Sequence, residues 1–583
     1  MAKACEKGRN TPLGQRIEQL TEAYVAVPTH TCSALERQVE PFFRAWTESL
    51  DYFRNHPEHC GLHRIPGDHL ERAVCWALVR GQEPAERRTV ILIHHYDTAD
   101  IEDYGPLQAQ AYAPRELARR MLERAACVPC PYAPDALADL ASGDWMFGRG
   151  GCDMKAGGAI EMALLEKYAA LQGFSGNLLM LALPDEENLS AGMRGATALL
   201  RDLKARFGLD YRLLLNTEPH MRADPATGTL YEGSVGKIMP LVYVKGQAAH
   251  VGQVFGGLNP ILLLAEIVRR TELNPDFLEQ AGAESTLPPV WLSMKDRKYH
   301  YDVSLPLAAG GYLSILTLEQ PPAVHLEHLR AICQEAFSAV IARMNESHAV
   351  YQRRLGQEPQ PLPWQPEVRT FDALQGAALA HSGAAYSAAS RAMMAELQGQ
   401  IAAKEIGFAE AGFRLIELAL AHSGSSTPVV VIALSPPYYP SVSNRQMRAR
   451  EMAQRAAGTR PGREPFLHLA GLGEALCAHA RAAWGQDYRV QDFFTGLSDL
   501  SYAVYNLDPE AMAFTRSIMP LWGDIYSIPF ELIRELSVPV INIGPWGKDF
   551  HKNTERVYLP DLCQRTPALI EEAIRFVFAQ LPD

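Results

Sequence analysis

The chain has 583 residues, 47% of them apolar and 21% charged, and a formal net charge of −12. That length exceeds one ordinary domain and predicts two or three. The acidic balance, without any long Lys/Arg run, excludes a nucleic-acid partner. The opening "MAKACEKGRNTPLGQ" lacks the apolar core of a secretory signal, and no apolar stretch approaches the ~18–20 residues that span a bilayer, so no membrane partner is expected. The ten cysteines are scattered, with Cys75, Cys152 and Cys477 inside regular segments, which predicts a reducing, cytoplasmic setting. Cys127 and Cys130 form a "CVPC" pair, but no second C-x-x-C follows, and they read as ordinary thiols in an insertion.

In chain order, "TVILIH" (89–94), "GNLLMLAL" (176–183), "YRLLLN" (211–216), "PVVVIAL" (428–434) and "VPVINIG" (538–544) are short apolar runs bounded by turn residues. They read as strands of one sheet, buried on both faces. Helical patterns at 155–171, 192–206, 462–484 and 564–580 alternate with them, which predicts an α/β fold with a mixed, mostly parallel sheet flanked by helices. The middle differs. A strand is expected at 237–246, then a helix capped by Asn259 with Pro260 in its first turn, a strand at 310–319 and a helix over 323–345. These units make a small inserted α+β sandwich. Residues 350–375 are rich in Pro and Gln and read as irregular; residues 380–422 are Ala-rich and helical. The expected division is 1–235 for the first part of the main domain, 236–355 for the insert, and 356–583 for a linker, helices and the second part.

Five stretches carry the chemistry. "HHYDTAD" ends the first strand and places His95 and Asp97 two apart, on one face. "GRGGCDMKAGGA" surrounds Arg149 and Asp153 with glycines before a helix; its spacing does not fit a phosphate-cradling loop, and Asp153 stands where a phosphate would need amides. "LPDEEN" puts Asp185, Glu186 and Glu187 past the second strand, and "LLLNTEPH" puts Glu218 past the third. "IGPWGKDFHKNTERV" follows the last strand with His551, and Glu555 four residues on. Singly each is a strand-end turn. Together they bring two imidazoles and several carboxylates to one rim of a sheet, a mixed N/O donor set suited to zinc and tolerated by cobalt or manganese.

In order and spacing these stretches resemble the co-catalytic zinc amidohydrolases and exopeptidases that include aminoacylase, succinyl-diaminopimelate desuccinylase and glutamate carboxypeptidase. "KGQAAHVG" resembles that family's lid signature at His250, and "SPPYYP" and "FFTGLSDLSYA" look closest to its arginine-utilisation branch. The resemblance implies two zinc ions bridged by Asp153, with His95 and Glu218 completing one site and Glu187 and His551 the other. It implies that Asp97 orients His95, that Glu186 is general base and then acid, and that His250 holds the substrate carbonyl and oxyanion. It implies a small amide substrate, an N-acyl amino acid or dipeptide, in amino-acid catabolism, and is compatible with a homodimer. Arg269, Arg270 and Asn259 are candidates for binding a substrate carboxylate. Two departures stand out: His94 precedes His95 where relatives carry Gly, and an insertion spans roughly 99–147. Two rival readings stay open, a non-catalytic binding protein on the same fold and an aminopeptidase of the lidless sister families.

Overall fold

The computed structural model describes residues 11–83, 85–127, 129–458, 464–505 and 508–579. The chain forms two compact units, one from Met1–Ser234, Val442–Asn506 and Pro529–Asp583, the other from Val235–Ser441 and Leu507–Ile528. The protein is therefore α/β as expected, and the chain passes between the units more than once.

The first unit is built on an eight-stranded mixed sheet in the order Cys60–Arg64, Ala73–Arg80, Asn177–Leu183, Arg88–His95, Asp210–Asn216, Val540–Asn542, Thr227–Tyr231, Asp487–Gln491. The middle four of these run parallel, Asn177–Leu183 beside Arg88–His95 beside Asp210–Asn216 beside Val540–Asn542. Every residue of Asn177–Leu183 is buried. A strand covered on both faces needs apolar side chains at successive positions, which is why it reads as a continuous run. Cys75, Ala77, Val79, Val90, Leu92, Leu178, Met180 and Ala182 share one core with the helices Pro12–Val25, Lys155–Ala170 and Thr566–Ala579. The helix Ala191–Phe207 packs on Ala73–Arg80 and Asn177–Leu183, burying Met193, Ala196, Leu199, Leu200 and Leu203. Pro12–Val25 starts as its sequence dictates, with the Thr11 hydroxyl accepting the Gly14 N–H and Pro12 in the first turn.

The second unit holds a sheet in the order Val290–Asp296, Ala308–Thr317, Pro240–Lys245, Val429–Leu434, Val368–Thr370, with Gly236–Ile238 paired to the end of Ala308–Thr317. Against it lie Pro260–Thr271, Pro322–Arg354 and the hairpin of Phe371–Ala402 with Phe408–His422. Asn259 caps Pro260–Thr271, as its sequence requires. Two expectations are corrected here. "PVVVIAL" belongs to this sheet, antiparallel to Pro240–Lys245, and not to the main one; an apolar run announces burial on two faces but not which sheet supplies them. The pattern over 462–484 falls on described residues as two helices, Pro465–His468 and Leu472–Trp484, separated at Gly471 with φ +89°. Among the described residues no helix is long and apolar enough to cross a membrane.

Candidate metal centre

The three parallel strands Asn177–Leu183, Arg88–His95 and Asp210–Asn216 end level with one another: His95 pairs with Leu183, and Ile93 with Asn216. Their carboxyl ends release Glu186 and Glu187, Asp97, and Glu218 at one rim. Val540–Asn542, parallel to Asp210–Asn216, feeds the turn that leads to His551. Asp153 arrives from the turn between Trp145–Phe147 and Lys155–Ala170. Active residues of such sheets gather beyond the carboxyl ends, where backbone leaves the ladder and side chains converge.

Asp153 stands at the centre. His95 Nε2 lies 3.0 Å from its Oδ1 and His551 Nε2 lies 3.2 Å from its Oδ2. Each imidazole faces a second carboxylate: His95 Nε2 is 3.6 Å from Glu218 Oε1, and His551 Nε2 is 2.9 Å from Glu187 Oε1. Two N/O clusters thus share one bridging carboxylate. Donor atoms of His95, Asp153 and Glu187 all lie within 4.8 Å of one another. Glu187 Oε1 is buried and satisfied by no hydrogen bond, despite the nearby imidazole. A buried acceptor in that condition is costly unless a cation is part of the site. The residues present fit a pair of divalent ions, one at each cluster.

The electrostatics agree. Burial opposes charge on His95, but Glu218, Asp153 and Asp97 hold its pKa well above the ordinary value. The adjacent carboxylates of Asp153 and Glu187 push His551 up to about 11. Burial raises Glu187, with Asp153 adding to it, and takes Glu218 up to about 7. Burial also lifts Glu186 far above the carboxylate range, reinforced by Glu218, Asp499 and Glu187. So many acids in one low-dielectric pocket are tolerable only with compensating positive charge.

Asp97 differs in detail from its expected part. His95 Nδ1 is 2.9 Å from the Asp97 backbone carbonyl, and the carboxylate is 3.6 Å away. That carboxylate instead accepts the N–H groups of Glu186 and Glu187 at 3.1 and 3.2 Å, holding the acidic turn. Asp185 is also diverted: it pairs with buried Arg72 at 2.5 Å and accepts the Ala191 N–H at the start of helix Ala191–Phe207. Asp185 (φ +69°) and His551 (φ +62°) are both left-handed, a strained state for residues with a side chain that recurs at functional turns.

Sequence reasoning missed the supports. Glu555, 1% exposed, accepts the N–H groups of Cys152 and Asp153 at 3.1 and 3.3 Å and pairs with Arg149 at 2.7 Å. Arg149 also donates to the carbonyls of Asp100 and His551 and to Asp103. Its signal was an arginine among glycines, which the motif already contained. Asp499, in "FFTGLSDLSYA", is buried near Glu186 with both oxygens unsatisfied by hydrogen bonds. In the second unit, exposed His250 accepts the Gly252 N–H on Nδ1 at 3.1 Å. Arg269 and Arg270 both pair with Glu266, and Asn259 is committed to its cap. Cys127 and Cys130 are free and exposed.

A mixed α/β sheet whose strand ends deliver two imidazole–carboxylate clusters around a shared aspartate defines a metallohydrolase. The model of the peptidase family M20/M25/M40 matches residues 124–566, and the chain belongs to that family. It is 32% identical over 533 residues to the uncharacterized protein YqjN of Bacillus subtilis, covering 91% of this chain and 90% of that one. It is 28% identical over 566 residues to protein RocB of the same organism, covering 96% and 94%. Among solved structures, the M20 metallo-carboxypeptidase Sso-CP2 of Sulfolobus solfataricus superposes with a TM-score of 0.51 at 10% identity, covering 96% of this chain and 99% of that one.

Proposed function

We propose that the protein hydrolyses an amide bond of a small N-acyl amino acid or dipeptide-like substrate, using two zinc ions, in cytoplasmic amino-acid catabolism. The observation that carries this reading is Asp153, with one imidazole at each oxygen and a further carboxylate beyond each imidazole. Zinc bound there would polarise the scissile carbonyl and lower the pKa of water, chemistry that cobalt or manganese also supplies. His95, Asp153 and Glu218 would hold one ion, and Asp153, Glu187 and His551 the other. Glu186 is the neighbouring carboxylate left for proton transfer. Its raised affinity for protons suits it to take one from the attacking water and return it to the leaving amine. The lid signature supports a part for His250 in holding substrate, and its removal is expected to lower kcat/KM with metal content unchanged. The resemblance to RocB supports the arginine-utilisation branch, and the free cysteines support a reducing compartment.

The test is Glu186→Gln. Elemental analysis should find the parental metal content, and hydrolysis of a panel of N-acyl amino acids and dipeptides should fall by about 10²–10⁴-fold in kcat. Parental turnover in this variant would refute the assignment. A parent that binds metal but cleaves no amide would favour the non-catalytic binding reading.

A further inference from the structure

Behind the metal donors lies a polar network that the reading above leaves unused. Glu161, on helix Lys155–Ala170, has no exposed surface. Its Oε2 is 2.7 Å from His94 Nδ1, and its Oε1 accepts the Thr217 hydroxyl at 2.8 Å. His94 Nε2 in turn lies 3.1 Å from the Tyr24 hydroxyl. With the Glu161 carboxylate accepting from Nδ1–H, Nε2 is the acceptor and Tyr24 the donor. All four side chains are buried.

The place of this network in the sequence is what gives it meaning. His94 immediately precedes His95, and Thr217 immediately precedes Glu218. His94 and His95 end the strand Arg88–His95; Thr217 and Glu218 directly follow its parallel neighbour Asp210–Asn216, and the Thr217 N–H still bonds the Ile93 carbonyl at 3.3 Å, continuing the ladder by one residue. Neighbouring residues on a strand point to opposite faces, so a side chain held on one face fixes the direction of the next on the other. One carboxylate therefore grips both strand ends one residue before each releases a donor. The helix is shaped to allow this. A Cβ on Gly157 would lie 2.4 Å from Thr217 Oγ1, and one on Gly158 would lie 2.5 Å from His94 Cδ2. Any larger residue at either position would force the helix, and Glu161 with it, away from the strands.

We propose that Glu161 is a positioning residue for the metal centre, setting the separation and orientation of His95 and Glu218 through its grip on His94 and Thr217. This rests on the two-ion reading above. It goes further by predicting an asymmetry: the clamp serves the ion held by His95 and Glu218 and not the one held by Glu187 and His551. Groups that orient donors from behind typically change metal affinity by about 10–100-fold.

The experiment is a Co²⁺ titration of the metal-stripped full-length protein, followed by visible absorption and calorimetry. The parent should take up two ions. In Glu161→Gln one binding step should weaken by about 10–100-fold and the other stay within about threefold. Thr217→Val, which removes one arm and keeps the side-chain shape, should weaken the same step by less, and it decides the matter if Glu161→Gln does not fold. Two parental steps with both unaltered in folded variants, or both weakened equally, would overturn the clamp alone. A parent that takes up fewer than two ions would overturn the two-ion reading and the clamp with it.

Discussion

His220 shows how a single side chain near the centre sets its tolerance of acid. It is 1% exposed; its Nδ1 bonds the Gly544 carbonyl at 2.9 Å and its Nε2 faces the Arg222 Nε at 3.0 Å. Burial, with Arg222 adding to it, pushes its pKa down to about 4. Between pH 6.5 and 4 the unfolded chain takes up a proton that the folded chain refuses, so stability falls as pH drops through that window and is full above it. The contribution at stake is at most about 3 kcal/mol. His220→Gln should flatten the acid limb of a plot of urea midpoint against pH, relative to the parent; an identical limb would show that His220 does not titrate there. The convergence of His95, Glu187 and Glu218 at one rim was legible because each lies at or just past an apolar run, and Asp153 stood out through its glycine-rich motif. The roles of Asp97, Asp185 and Glu555 were not legible, because a carboxylate's partner is chosen by folding and Arg72 and Arg149 sit far away in sequence.

At the scale of elements, the insertion over 99–147 has a structural purpose. Helices Pro114–Ala125 and Pro134–Ser142 bury Leu117, Met121 and Leu140 with Tyr104, Trp145 and Trp546 in a core of their own. Asp139 from this insertion pairs with Lys548 and with buried Arg556 at 2.7 Å each, and Asp103 pairs with Arg149 at 2.9 Å. The insertion thus braces the turn that presents His551. Arg149→Met would strip buried Glu555 of its cation, forcing the carboxylate to take up a proton or stay uncompensated, which should cost up to about 3–5 kcal/mol by chemical denaturation. Adding Glu555→Gln should recover much of that loss, and a strictly additive double variant would deny the coupling. The strand Ala73–Arg80 was missed although "AVCWALVR" is an apolar run, and Thr227–Tyr231 and Asp487–Gln491 were missed because they are short and partly polar.

At the scale of the molecule, the two units differ in how much of each the sequence disclosed. The α/β class was readable from strand and helix periods, and the second unit opens at Val235. Its extent was not readable, because Val429–Leu434 is as apolar as a strand of the main sheet and only pairing with Pro240–Lys245 assigns it. This bears on any attempt to remove the insert. Excising 237–350 takes away Pro240–Lys245 and Ala308–Thr317 and strips the fully buried Val429–Leu434 of its antiparallel neighbour. That truncated chain should be insoluble or aggregated by size-exclusion chromatography; a soluble monomer would show that the second unit tolerates loss of most of its sheet.

The strand Val540–Asn542 lies between Asp210–Asn216 and Thr227–Tyr231, and His551 follows it. A nascent polypeptide emerging from the ribosome therefore carries His95, Asp153, Glu187 and Glu218 long before His551. This strand must insert between two that lie far earlier in the chain, a step of very high sequence separation and correspondingly slow. A chain cut short between Glu218 and Val540 would carry the acidic strand ends without the strand that inserts between Asp210–Asn216 and Thr227–Tyr231.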